Sequence, residues 1–102
     1  DYDKALETIS DKKDNHPIRA YSLNNRGFAY FKFGENDKAM TDINHSLILL
    51  PNNSYAYKNR ALVYLNRKDN DKGCADLNKA IELGYTEQYG DEVIKLINEN
   101  CK

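Results

Sequence analysis

Apolar side chains return along this chain at helical intervals, interrupted at regular points by glycine or proline. Ala20, Leu23, Gly27 and Tyr30 recur at three- and four-residue steps, with Phe31 beside them, which marks one face of an α-helix. Gly34 follows, and glycine readily takes the left-handed backbone that ends a helix. Ala39, Ile43, Leu47 and Leu50 then line a second helix. Pro51 stops it, because proline lacks the amide hydrogen and clashes with the preceding turn. Tyr57, Ala61 and Tyr64 predict a third helix, and Leu77, Ala80 and Leu83 a fourth, closed by Gly84.

The second pair of helices copies the first. Asp3-Lys4-Ala5, Asp37-Lys38-Ala39 and Asp71-Lys72-Gly73 are spaced by 34 residues, as are Pro17 and Pro51. Asn25-Arg26-Gly27 matches Asn59-Arg60-Ala61 at the same offset, and aligning 20–53 on 54–87 gives ten identities in 34 positions. A fixed period of this length is the signature of stacked helical repeats. The small residues have a steric role. Gly27 and Ala61 stand where the two helices of a unit cross, and Ala39 and Gly73 stand on the facing helix. Small side chains there let the backbones approach, and Tyr30 and Tyr64, one turn away, fill the remaining space.

These positions resemble the tetratricopeptide repeat family. Its pattern asks for a small residue at position eight (Gly27, Ala61), tyrosine at eleven (Tyr30, Tyr64) and a small residue at twenty (Ala5, Ala39, Gly73). It also asks for a bulky apolar residue at twenty-four (Ile9, Ile43, Leu77), alanine at twenty-seven (Ser46, Ala80) and proline at thirty-two (Pro17, Pro51). Arg26 and Arg60 depart from it where leucine is commonest, Lys12 where alanine is expected, and Tyr85 where proline is expected. The resemblance implies an all-α chain, an α-solenoid of antiparallel helix-turn-helix repeats with a C-terminal capping helix. Residues 1–19 then read as the second helix of a partial repeat, 20–53 and 54–87 as full repeats, and 88–102 as the cap. In the cap, Tyr89, Val93, Leu96 and Ile97 cover the last repeat, and a polar outer face meets solvent. The chain is read as a fragment of a longer bacterial protein, with Ala5, Leu6 and Ile9 forming an apolar face open to self-association.

Charge narrows the function. Charged residues make up 30% of the chain, yet the net charge is −1, without the basic excess of a nucleic-acid binder. The longest apolar run, Leu47 to Leu50, is far short of the roughly 18 residues of a membrane span, so no membrane insertion is expected. No glycine-rich phosphate loop occurs, and His16 and His45 are not in ligand spacing with a cysteine. Neither a cofactor, a metal nor catalysis is expected.

The resemblance instead implies a protein or peptide partner held in a concave groove lined by the first helix of each repeat. The groove positions fall on Tyr21, Asn24, Asn25, Phe28, Phe31 and Lys32 in the first repeat. In the second they fall on Tyr55, Lys58, Asn59, Leu62, Leu65 and Asn66. Tyrosine and phenylalanine are enriched among interface anchors; asparagine offers both donors and acceptors to a peptide backbone. Only Lys32 and Lys58 carry charge, which argues against the family's clamp for a terminal carboxylate. The alternative is a structural scaffold or self-association segment of a larger multi-repeat protein.

Two cysteines remain. Cys74 lies ten residues before the Gly84 turn, and Cys101 lies ten residues after Asp91, a candidate helix start. At 1.5 Å per residue both stand about 15 Å from the turn if the two helices run antiparallel. A disulfide is then within reach, and it would point to an oxidising compartment such as a periplasm. Free thiols would point to the cytoplasm.

Overall fold

The computed structural model describes residues 16–101, among which every regular element is helical. The chain divides into two compact units, Asp1–Pro51 and Asn52–Lys102. The expectations placed on Ala5, Leu6, Ile9 and Lys12 lie outside the described residues.

The first unit is a hairpin of α1 (His16–Lys32) and α2 (Asn36–Leu49). Ala20 meets Ser46, whose hydroxyl donates to the Ala20 carbonyl at 2.7 Å, and Arg26 meets Asp42. As one index rises the other falls, so the helices are antiparallel. Ala20, Leu23, Ala39, Ile43 and Leu47 are buried between them. Among the described residues α1 already includes His16, four residues before the repeat boundary placed at Ala20. Pro17 lies within this helix. The turn out of α1 is closed by Gly34 at φ 82°, with the Glu35 amide donating to the Tyr30 carbonyl at 2.8 Å.

The second unit repeats this hairpin with α3 (Ser54–Asn66) and α4 (Asn70–Glu82), then adds α5 (Tyr85–Tyr89) and α6 (Glu92–Asn100). Asn53 caps α3 by accepting from the Tyr55 amide at 3.1 Å, a favourable use of asparagine at a helix start. Leu83 and Gly84 end α4, Gly84 at φ 91°. The segment read as one cap from 88 onward is thus interrupted. Gly90, at φ 102°, and Asp91 separate α5 from α6. The core of this unit joins Ala61, Leu77, Ala80, Tyr85 and Val93, with Leu65, Leu96 and Ile97 packed against it.

The helix crossings depend on small residues, as the pattern implied. A Cβ on Gly27 would stand 2.7 Å from Ile43 Cγ1 and 3.1 Å from the Ala39 carbonyl oxygen. A Cβ on Gly73 would stand 2.8 Å from Leu65 Cδ2 and 3.4 Å from the Ala61 carbonyl oxygen. Each crossing pairs one glycine with one alanine. The glycine is on the first helix of the first unit and on the second helix of the second. No described helix is long and apolar enough to cross a membrane.

Candidate functional site

Each unit carries the same constellation of four polar and aromatic side chains, which sequence reading did not assemble. Arg26 Nε donates to Asp42 Oδ2 at 2.6 Å and its Nη2 donates to Oδ1 at 2.7 Å. One repeat later, Arg60 donates to Asp76 through the same atoms at 2.8 and 2.9 Å. Both aspartates are buried and both arginines partly exposed. Two-point pairing of this kind fixes orientation as well as distance. The hydrogen bond that Arg60 donates to Asp76 raises the Arg60 pKa further, against the lowering effect of burial. The guanidinium of Arg26 and the ammonium of Lys38 both lie 5.6 Å from the Tyr30 ring centroid. Arg60 and Lys72 lie 5.9 and 5.8 Å from the Tyr64 ring, within cation–π range. The signal was available: arginine and aspartate recur 16 residues apart in both repeats. Arg26 and Arg60 look like lapses from a leucine position until their partners are seen.

The outward face of α1 gathers most of the groove residues predicted for the first repeat. Tyr21, Asn25, Phe28 and Lys32 follow one another at steps of four, three and four residues, so they share a face. Tyr21 is 50% exposed; Asn25 and Lys32 are exposed, and Phe28 and Phe31 half-buried. The Phe28 and Phe31 rings are 6.1 Å apart between centroids, and Lys32 Nζ stands 5.7 Å over Phe28. Asn24, by contrast, is buried.

The predicted groove residues of the second repeat are differently placed. Lys58 and Asn59 are buried, at 2% and 1% exposure. Tyr55, Leu62 and Leu65 are half-buried, and Asn66 is exposed. Of the two repeat-related asparagines, Asn25 offers its side chain to solvent and Asn59 does not. Lys58 Nζ sits 4.3 Å from the Tyr55 ring centroid and 3.8 Å from Glu92 Oε2. The other Glu92 oxygen accepts from the Tyr85 hydroxyl at 2.8 Å. Burial first, and then this hydrogen bond, push the Tyr85 hydroxyl well above the ordinary tyrosine pKa. Tyr89 joins the cluster edge-on to Tyr55 at 4.9 Å and lies 5.0 Å from Tyr85. It was assigned to the cap's inner face, yet it is 48% exposed. Tyr21, Tyr55 and Tyr89 are themselves 34 residues apart.

Cys74, near the start of α4, and Cys101, just past the end of α6, form a disulfide with their Cα atoms 5.7 Å apart. Among the described residues no three histidine, cysteine or acidic side chains gather as a metal site would require.

Among the described residues the fold and these clusters define an all-helical architecture of two units, each built on a helical hairpin. No family model matches the chain, and no curated protein matches it either.

Proposed function

We propose that this chain is a tetratricopeptide-type α-solenoid module that binds an extended protein or peptide segment on its first helices, and that it is not an enzyme. The observation that supports this reading best is the outward face of α1. There Tyr21, Asn25, Phe28 and Lys32 stand in line, open or half-open to solvent, on a helix whose other face is fixed by the Arg26–Asp42 pair. A rigid row of aromatic side chains interleaved with an amide suits an extended strand. The rings supply contact area at low entropic cost, and the amide meets the partner's backbone. The 34-residue period and the glycine–alanine crossings support the solenoid. The Cys74–Cys101 disulfide supports an oxidising compartment.

The test is selection from a phage-displayed random peptide library, followed by titration of a labelled selected peptide. Tyr21→Ala and Phe28→Ala, both on the exposed side of α1, are expected to weaken binding roughly tenfold or more each, with helicity and thermal midpoint little changed. Failure to select any saturable binder, or binding that both variants leave intact, would rule the reading out.

The scaffold reading has its own observation, the exposure of Ile18 and Ile48 at 66% and 74%. It predicts a concentration-dependent dimer in sedimentation that Ile48→Asp dissolves.

A further inference from the structure

We propose that the C-terminal helix is a redox latch: the Cys74–Cys101 disulfide holds α6 against α4, and reduction by a dithiol frees α6, from the Gly90 joint onward, while both hairpins and the buried Tyr85 stay in place. This does not rest on the peptide-binding reading.

Little else fastens α6. It has nine residues, fewer than an isolated helix needs to persist in water. Val93 is its one buried residue; Leu96 and Ile97 are half-buried and Ile94 is exposed. α5 is a single turn of five residues, and Gly90 and Asp91 break the chain between the two. α6 thus has a small apolar anchor and a glycine joint behind it. The disulfide ties its far end to the second helix of the hairpin, closing a loop across a separation of 27 residues, and loop closure of that kind removes much of the entropy the open form would gain.

The hairpins differ in this respect. α1 is locked to α2 by Arg26–Asp42, and α3 to α4 by Arg60–Asp76. Neither lock involves the cysteines, so both remain when the crosslink is broken. Both cysteines are half-buried rather than enclosed, within reach of a thiolate. Exchange with a dithiol breaks the bond between the two Sγ atoms. Two electrons and two protons pass to Cys74 and Cys101, which become thiols, and the reductant closes to its own disulfide. Once α6 leaves, Glu92 goes with it. The Tyr85 hydroxyl then loses its acceptor, the Lys58 ammonium loses its carboxylate, and the apolar surface over Leu77 and Ala80 opens.

Amide hydrogen exchange on the full chain tests this, oxidised, then reduced with dithiothreitol, with the Cys74→Ser/Cys101→Ser variant measured in the absence of reductant. Reduction and the double variant are both expected to cut protection of residues 92–100 by roughly a hundredfold. Protection of α1, α2, α3 and α4 is expected to change by less than about threefold. Unchanged protection of 92–100 would overturn the proposal, since α6 would then be held without the bond. Equal loss across 54–82 and 92–100 would overturn it too, because the disulfide would then be a staple for the whole unit.

Discussion

The two hairpins solve one packing problem with different parts, and the differences separate what the architecture requires from what it tolerates. Both cross on a glycine–alanine pair, but the glycine changes helix between Gly27 and Gly73. Both turns need a left-handed residue at the same repeat position. The first unit uses Gly34 at φ 82°, while the second forces Lys68 to φ 67°. Both second helices have an acidic residue at the N-cap. Asp69 accepts from the Lys72 amide at 3.4 Å, whereas the longer Glu35 makes no side-chain cap. What does not vary is the arginine–aspartate pair. The comparison teaches that close approach can be supplied from either helix, whereas the polar lock keeps its place and its atoms.

The largest expected effect tests that constancy. Removing the arginine leaves a buried carboxylate without its partner, which costs about 3 kcal/mol. Arg26→Leu and Arg60→Leu are each expected to destabilise by that amount in urea unfolding. Asp42→Leu and Asp76→Leu should cost less, about 1 kcal/mol, because the partly exposed guanidinium turns to solvent. Replacing both partners of either pair by leucine is expected to recover most of the loss. If one unit responds and the other does not, the two locks are not equivalent.

Next in size is the crossing. Gly27→Ala pushes a methyl into the β-branched Ile43 and against the Ala39 carbonyl, at an expected cost of about 2 kcal/mol. Gly73→Ala meets the side chain of Leu65, with the nearest backbone oxygen farther off. Leu65 can yield more easily, and the gain in helix propensity offsets part of the overlap, for a net cost of about 1 kcal/mol or less. Thermal midpoints of the two variants, measured side by side, decide this. The reverse order would show that the crossing is tighter in the second unit.

The smallest effect is a gain. Lys68→Gly relieves the left-handed strain that Gly34 avoids and should stabilise by roughly 0.5–1 kcal/mol after the entropic cost of glycine. No change in the unfolding midpoint would mean that the Lys68 side chain makes up for its backbone.

Much of this fold was legible because a helix writes its buried face into the sequence every three or four residues. Ala39, Ile43 and Leu47, or Ala61, Leu77 and Ala80, announce their burial locally. The 34-residue offset aligned the two hairpins without any structure. The reach of the cysteines followed from helix rise once the two helices were taken as antiparallel. Three things did not follow. The pairing of Arg26 with Asp42 depends on which faces meet across a hairpin, and measuring arginine against a leucine position hid it. Pro17 and Pro51 share a repeat position, yet one lies in a helix and the other in a turn. The exposure of Asn25 and the burial of Asn59 could not be read from the Asn-Arg pair that both repeats share, because exposure is set by side chains distant along the chain.

The polar lock has an evolutionary consequence. Arg and Asp of each pair lie 16 residues apart and within one unit, so a tandem duplication of a 34-residue stretch carries both halves of the lock with it. A new copy arrives already able to close its own hairpin. No compensating change is asked of its neighbour, and selection is left free to rework the outward-facing residues one copy at a time.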